Sequence, residues 1–304
     1  MHPNHTLPLK LRAIAEAGFS DAELAFPDLE AYASQEYPGY RQLDRAGKGD
    51  MDTLCKAAGK IRKLCDELDL GILAVHPFDN YEGFKEKAKI DERLERAAAW
   101  FKVMKEQVLE CEMLQVGSSI DPTSSGDFDI IASNFQQLAD EAAAQIPPIR
   151  IAYENWAWGV HVSNFGLCLD TFHICARGYA SPTSPTSALR SNAASTLQAS
   201  LQKLMDIVPA HAIFYVQISD ASKNVSPDRL EAEAKKKGID VLYAYSQSWR
   251  PLPYMDEVAE TKDGGYGGFF PVVDVLKAIL KTGFEGPWSY EVRRCPSSAS
   301  VHEE

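Results

Sequence analysis

The chain has 304 residues, of which 45% are hydrophobic and 24% are charged, and its formal net charge is −12 at pH 7. This composition is typical of a soluble globular protein, and the acidic balance argues against a nucleic-acid partner because phosphate backbones bind basic surfaces. No apolar run approaches membrane-spanning length, the first residues lack the apolar centre of a secretory signal, and the six cysteines form no CxxC pair. We therefore expect a cytoplasmic protein with reduced cysteines that binds neither a membrane nor a nucleic acid.

Short apolar runs alternate with amphipathic stretches along the chain. In chain order this pattern predicts the helix Leu9–Ala17, the strand Asp21–Phe26, the helix Thr53–Leu68, the strand GILAVHP, the helix Asp91–Leu109, the strand EMLQVGS, the helix Asp129–Gln145 and the strand IRIAYEN. The later predicted elements are the strand FGLCLD, the helix Leu189–Ile207, the strand IFYVQIS, a helix that opens at Pro271 and ends at Gly283, and the strand WSYEV. Such alternation indicates βαβ units and a parallel sheet.

The predicted sheet is one strand short of a closed (β/α)8 barrel, because only seven strands are found. A first strand should precede Leu9, but MHPNHTLP is too short and too polar to form it. The stretch Asn155–Asn164 between IRIAYEN and FGLCLD is shorter than a parallel crossover needs, and the tail RRCPSSASVHEE lacks a covering helix. The prediction is one α/β domain over residues 1–304, a TIM-type barrel whose first strand, one crossover helix and final helix are missing or shortened.

Four apolar runs end on, or close to, a side chain that can bind a metal, namely Glu154, Asp170, Gln217 and Glu291. The carboxyl ends of parallel barrel strands surround one pocket, so we expect these side chains to converge. Three carboxylates and one amide are hard oxygen donors, which suit Mg²⁺ or Mn²⁺ better than a structural zinc ion. For each residue alone, an ion pair with a buried arginine or lysine is an open alternative, and Gln217 is the weakest candidate because its amide is neutral.

Further polar residues follow the predicted strand ends. His173 lies three residues beyond Asp170 and could pass a proton near neutral pH, or it could be a hydrogen-bonded structural histidine. His76 and Tyr81 follow the strand GILAV and either line the pocket or serve the core. Arg250 lies in a polar and aromatic loop, where its guanidinium would bind a substrate carboxylate in bidentate fashion, although solvated loop arginines are common.

The chain resembles the xylose-isomerase-like TIM-barrel superfamily of sugar isomerases and epimerases in four ordered segments, which are PPIRIAYENWAW, NFGLCLDTFHICARGYASPTSP, IFYVQISDA and GFEGPWSYEV. Weaker matches in AGFSDAELAFPDLEAY and LAVHPFDNYEG extend the resemblance over most of the chain. Within the superfamily, the combination of YE, LDTFH, VQISDA and YEV is similar to the fungal 3-dehydroshikimate dehydratase group of quinate catabolism.

The resemblance implies a lyase that dehydrates 3-dehydroshikimate, a small-molecule carboxylate, to protocatechuate with one divalent cation, either Mn²⁺ or Mg²⁺, with Co²⁺ as a further candidate. It places the metal ligands of the family on Glu154, Asp170, Gln217 and Glu291. Glutamine at the third ligand position favours a dehydratase, because many sugar epimerases carry histidine there. The resemblance also implies acid–base work for His173 and binding of the substrate carboxylate by Arg250, and a homo-oligomer is compatible with the sequence.

Two other functions stay open at the level of sequence. A sugar or hydroxy-acid isomerase or epimerase would use the same barrel, although Gln217 and Arg250 count against it because a neutral sugar needs no carboxylate clamp. A truncated homologue without activity would retain the ligands in a barrel that lacks elements which family members normally have.

Overall fold

The computed structural model describes residues 5–105, 107–154, 165–180, 189–255 and 267–292. The chain divides into two compact units, Met1–Leu167 and Cys168–Glu304. The boundary between them falls inside a strand, Phe165–Asp170. The single domain predicted for residues 1–304 stays a prediction.

The first unit alternates helices with parallel strands. In its described residues the elements are α1 (Leu7–Glu16), β1 (Asp21–Ala25), α2 (Phe26–Glu36), α3 (Met51–Glu67), β2 (Gly71–His76), α4 (Lys87–Met104), β3 (Met113–Gly117), α5 (Phe128–Ala143), β4 (Arg150–Glu154) and the start of β5 (Phe165–Asp170). The strands β1, β2, β3 and β4 are neighbours in that order and pair in parallel. In the last of these pairs, Val116 lies opposite Tyr153 and Gly117 lies opposite Glu154.

Burial and helix capping explain why these segments form these elements. Every residue of β3 is buried, as is typical of a parallel strand that other elements cover on both faces. The helix α3 begins after Asp50, whose side chain accepts a hydrogen bond from the backbone N–H of Thr53. The helix α5 begins in the same way after Asp127, which accepts hydrogen bonds from Asp129 and Ile130.

An aromatic layer packs α5 against the end of the first unit's sheet. The ring centroid of Phe135 lies 4.5 Å from that of Tyr153 and 4.9 Å from that of Phe165. All three side chains are buried. Because Tyr153 precedes Glu154 directly, this layer fixes the carboxyl end of β4, where a candidate ligand lies.

The second unit contains the end of β5 and two further strands among its described residues. Its elements are α6 (Thr171–Gly178), α7 (Ala193–Ile207), β6 (Ile213–Ile218), α8 (Pro227–Lys237), α9 (Val241–Ser246), α10 (Val272–Lys281) and β7 (Trp288–Tyr290). The end of β5, β6 and β7 are neighbours in that order, and Ile218 lies opposite Tyr290 in the parallel pair of β6 and β7. The three carboxyl ends therefore lie along one edge of this part of the sheet.

The seven predicted strands are present, and most corrections concern helices. The strand β1 ends at Ala25 instead of Phe26, because Pro27 suits the first turn of α2. The pattern does not predict α2, α6, α8 or α9. The helix α4 ends at Met104 instead of Leu109, and α7 begins at Ala193 instead of Leu189. The predicted stop at Gly283 is confirmed, since α10 ends just before this glycine, whose φ is +87°.

The described residues are consistent with an incomplete α/β barrel. Between residues 5 and 20 the element present is the helix α1, and no strand occurs there. The stretches 155–164 and 293–304, where the predicted crossover helix and final helix are short or missing, lie outside the described residues. Within the described part of the chain, no helix is both long and apolar enough to cross a membrane. Five cysteines there are free thiols.

Candidate active site

In the second unit a buried arginine contacts two of the predicted ligands. Arg250 Nη2 is hydrogen-bonded to Asp170 Oδ2 and lies 3.0 Å from Glu291 Oε2. The exposed fraction of the side chain is 2% for Arg250, 0% for Asp170 and 14% for Glu291. Removal of one partner from a buried ion pair leaves an uncompensated charge, so the three side chains depend on one another.

Ser219, one residue beyond β6, holds this ion pair in place. Its Oγ accepts hydrogen bonds from Arg250 Nη2 at 2.8 Å and from Arg250 Nε at 3.2 Å, and it donates to Asp170 Oδ1 at 3.2 Å. The backbone N–H of Ser219 donates to Thr171 Oγ1 at 2.9 Å, and the Thr171 hydroxyl donates to the Ser219 carbonyl at 2.6 Å. The Arg250 guanidinium also lies 4.6 Å from the centroid of the Phe172 ring. These contacts leave the guanidinium little freedom.

Asp170 joins the strand β5 to the helix α6. Its Oδ1 accepts the backbone N–H of Phe172 at 2.8 Å, which caps the start of α6. His173 lies in the first turn of that helix, with Nε2 3.6 Å from Asp170 Oδ2 and 11% of its side chain exposed. The imidazole nitrogen and the carboxylate oxygen are therefore close enough to bind one metal ion.

Gln217 and Glu291 lie on the neighbouring strands. The Gln217 side chain is buried, and its Oε1 accepts a hydrogen bond from Cys168 Sγ at 3.2 Å. The backbone N–H of Glu291 donates to the carbonyl of Ile218 at 3.1 Å, which fixes Glu291 beside the end of β6. The second unit thus brings the predicted residues Asp170, His173, Gln217, Arg250 and Glu291 to adjacent strand ends.

In the first unit, the predicted ligand Glu154 ends β4 and faces a residue that the sequence prediction missed. Glu154 Oε2 accepts a hydrogen bond from Gln115 Nε2. Gln115 is the third residue of β3 and is buried, and no described residue donates a hydrogen bond to its Oε1. A polar residue inside the apolar run EMLQVGS is the signal that would have identified it.

A second buried carboxyl group, Glu82, also lies in the first unit and was not predicted. Its Oε1 accepts hydrogen bonds from the backbone N–H of Ser119 at 2.7 Å and from the Tyr153 hydroxyl at 3.2 Å. Burial raises the pKa of Glu82, and these two hydrogen bonds only partly offset that effect. Burial, with the neighbouring Glu82, also raises the pKa of Tyr153.

Tyr81 and His76, the predicted substrate-binding residues, lie in the first unit. The Tyr81 hydroxyl donates to the carbonyl of Asn134 at 2.9 Å, and its ring lies 5.9 Å from the ring of Phe135. Only 2% of Tyr81 is exposed, so these contacts are those of a core residue. His76 is the last residue of β2 and is partly buried. A role for either residue in substrate binding stays a prediction.

Comparison with known proteins decides the family. The family model described as "Xylose isomerase-like TIM barrel" matches residues 11–304. The chain belongs to this family. A 3-dehydroshikimate dehydratase of Neurospora crassa is 31% identical over 95% of this chain and 81% of its own length. A 3-dehydroshikimate dehydratase of Pseudomonas aeruginosa is 28% identical over 97% of this chain, which spans 38% of that relative.

A solved structure resembles the xylose isomerase-like chain over nearly all of its length. It is a xylose isomerase-like TIM barrel/4-hydroxyphenylpyruvate dioxygenase fusion protein, with a TM-score of 0.62 and 25% sequence identity. The match covers 97% of this chain and 38% of the fusion protein. The expected α/β barrel class is therefore confirmed.

The donor atoms of the second unit fit a divalent metal of the kind that a xylose isomerase-like site could hold. Asp170 and Glu291 supply carboxylate oxygens, Gln217 an amide oxygen and His173 an imidazole nitrogen. Such oxygen-rich sets suit Mg²⁺ and Mn²⁺ and also accept other divalent ions. Arg250 Nη2 contacts both carboxylates, so the alternative of an ion pair with a buried arginine is observed for Asp170 and Glu291.

Proposed function

We propose that this chain is a 3-dehydroshikimate dehydratase, a carbon–oxygen lyase that converts 3-dehydroshikimate to protocatechuate and water. The observation that carries the proposal is the similarity to the Neurospora crassa enzyme, which extends over 95% of this chain and 81% of the relative. Two Pseudomonas relatives bear the same name, at 28% and 26% identity. The substrate would be a small-molecule carboxylate. A cytoplasmic location and a homo-oligomer stay predictions.

We propose that one divalent cation, Mn²⁺ or Mg²⁺ before Co²⁺, is the cofactor and that Glu154, Asp170, Gln217 and Glu291 are its ligands. When bound, such an ion acts as a Lewis acid that polarises the substrate ketone and stabilises negative charge on its oxygen. The burial of Glu154, Asp170 and Gln217 and the partial burial of Glu291 support the assignment, because a nearby cation stabilises a carboxylate that is removed from water.

His173 is the proposed acid–base residue. It accepts the proton from the ring carbon beside the ketone and returns that proton to the departing ring hydroxyl, which leaves as water. A second ring proton then moves from carbon to the former ketone oxygen, and the ring becomes an aromatic diol. The side chain of His173 is 11% exposed and its Nε2 lies 3.6 Å from Asp170 Oδ2, so the imidazole is held beside the proposed metal ligand.

Arg250 is proposed to bind the carboxylate of the substrate while it also orients Asp170 and Glu291. A guanidinium has five N–H donors, and those on Nε and Nη2 contact Ser219 and the two carboxylates. Rigid placement of Arg250 supports this role, since a fixed group orients the substrate without loss of conformational freedom.

The test is ultraviolet detection of protocatechuate after addition of 3-dehydroshikimate and Mn²⁺ to the purified chain. The wild-type chain should form product, and Glu291→Gln should lose nearly all activity because it removes one carboxylate of the site. The matched control is Glu285→Gln, which alters an exposed glutamate before β7 and should leave activity unchanged. A folded, Mn²⁺-loaded chain without product would contradict the proposed function and favour the isomerase or the inactive homologue.

A further inference from the structure

Gln115 is a polar residue inside a buried strand. It lies in the middle of β3, between Leu114 and Val116, and all residues of this strand are buried. A buried amide destabilises a protein unless its donors and acceptors are satisfied, and buried strands are ordinarily apolar. The residue is therefore expected to have a role beyond packing.

One end of the Gln115 side chain is fixed by a predicted metal ligand. In the parallel register Gln115 lies opposite Ala152, two residues before Glu154, and its side chain reaches forward to Glu154 Oε2. The amide N–H group must face this oxygen, because an ionised carboxylate only accepts hydrogen bonds. A carboxylate offers about four lone-pair sites, so the bond with Gln115 orients Glu154 and is compatible with further ligands.

The other end of the amide is an acceptor for which the described residues supply no donor. Gln115 Oε1 is buried and has no hydrogen-bond partner there. The side chain cannot turn to satisfy Oε1 without breaking its bond to Glu154. A buried carbonyl oxygen beside a predicted ligand is suited to accept a hydrogen bond from a hydroxyl group of a bound molecule.

We propose that Gln115 is a positioning and specificity-determining residue, which orients Glu154 through Nε2 and accepts a hydrogen bond from a ring hydroxyl of the substrate at Oε1. The second half of this inference rests on the proposed function, because it takes the substrate to be a hydroxylated ring. The first half rests only on Glu154 being a metal ligand. A site with this acceptor discriminates against a substrate analogue that lacks the hydroxyl, since Oε1 would then stay unpaired.

The first experiment compares Mn²⁺ binding to Gln115→Met with binding to the wild-type chain, by calorimetry or by electron paramagnetic resonance. Methionine has a similar volume but neither orients Glu154 nor accepts a strong hydrogen bond. The Kd for Mn²⁺ should rise about tenfold, the size typical for loss of a residue that orients a metal ligand. The matched control is Gln136→Met in α5, an exposed glutamine that donates to Asp140 Oδ1 at 2.7 Å, and its Kd should not change.

The second experiment measures kinetics with 3-dehydroshikimate at saturating Mn²⁺. Loss of a neutral hydrogen bond to the substrate should raise KM about fivefold in Gln115→Met, with a smaller effect on kcat. Circular dichroism checks that the variant is folded. If it is not, Gln115→Asn serves in its place, because asparagine keeps the amide on a stem too short to span the distance to Glu154.

The outcomes separate the two halves of the inference. An unchanged Mn²⁺ affinity in a folded variant would overturn the orienting role of Gln115. An unchanged KM at saturating Mn²⁺ would overturn the hydrogen bond with the substrate. If the wild-type chain forms no protocatechuate while Mn²⁺ binding still weakens in Gln115→Met alone, the proposed function fails and the orienting role stands.

Discussion

The two units stabilise their buried carboxyl groups by different means. In the first unit, the hydrogen-bond donors described for Glu82 and Glu154 are neutral groups. In the second unit, Asp170 and Glu291 share the guanidinium of Arg250. A neutral donor satisfies a hydrogen bond without adding charge, whereas a guanidinium compensates the charge of an ionised carboxylate.

Burial alone therefore does not determine the electrostatic environment of a carboxyl group. Glu82 is buried among neutral partners, and its pKa is raised because burial disfavours the charged form. The carboxylates of the second unit contact a guanidinium that is always positively charged and compensates their negative charge. Burial among neutral donors and contact with a guanidinium are therefore different electrostatic environments for a carboxyl group.

Of the substitutions considered, Arg250→Met should decrease the free energy of unfolding the most. The substitution leaves Asp170 and Glu291 without their shared guanidinium, so the free energy of unfolding should fall by about 3–5 kcal/mol. Urea denaturation in a chelating buffer measures the loss. The control Arg177→Met changes an exposed arginine of α6 and should stay within about 0.5 kcal/mol.

Addition of Mn²⁺ to the same denaturation experiment tests whether Asp170 and Glu291 bind a metal ion. If the two carboxylates bind the ion, excess Mn²⁺ should restore part of the stability that Arg250→Met loses, because a ligand that binds only the folded state stabilises it. A loss no larger than that of Arg177→Met would show that the ion pair contributes little to the fold.

Ser219→Ala should have an intermediate effect. The change removes the hydroxyl that bridges Arg250 and Asp170 and leaves the ion pair itself in place. The expected decrease in the free energy of unfolding is about 1 kcal/mol, measured by urea denaturation. The exposed Ser195→Ala in α7, which loses a hydrogen bond to the Asn192 carbonyl, is the matched control. A loss as large as that of Arg250→Met would mean that the hydroxyl, and not the charge, holds the cluster.

The substitution Glu82→Gln should change how the free energy of unfolding depends on pH. It should change that free energy less at low pH. A carboxyl group whose folded-state pKa is raised stabilises the fold while it is protonated, and this contribution is lost as the pH rises from the unfolded value through the folded value. The wild-type chain should therefore lose stability relative to Glu82→Gln as the pH increases from about 4.3. Urea denaturation at several pH values measures this, with the exposed Glu67→Gln as control. Parallel curves for wild type and Glu82→Gln would contradict a raised pKa.

The sequence predicts most of the fold because its strands are apolar and its long helices are amphipathic. It does not predict α2, since PDLEAY follows the strand β1 without a polar break. The short helices α6 and α9 begin directly after Asp170 and Asp240, whose capping contacts are local, but each helix has too few residues for a helical period to be evident.

The candidate site is predicted in part. Acidic residues at strand ends are visible as breaks in apolar runs, so the sequence predicts Asp170 and Glu291 as site residues. Arg250 is predicted as a residue that binds a substrate carboxylate, but its contacts with Asp170 and Glu291 are not predicted, because it lies 80 residues from Asp170 and 41 from Glu291 along the chain. Glu82 was missed since the burial of a loop residue depends on tertiary packing and leaves no periodic signal.

The two carboxylate oxygens of Asp170 make different contacts. Oδ1 accepts the backbone N–H of Phe172 and the hydroxyl of Ser219, while Oδ2 faces Arg250 and His173. The rotamer of this carboxylate is thus set when α6 forms, so the loss of side-chain entropy is incurred on folding and not when an ion or substrate arrives. Asparagine could retain the helix cap and glutamate the charge, but neither could supply both from this position.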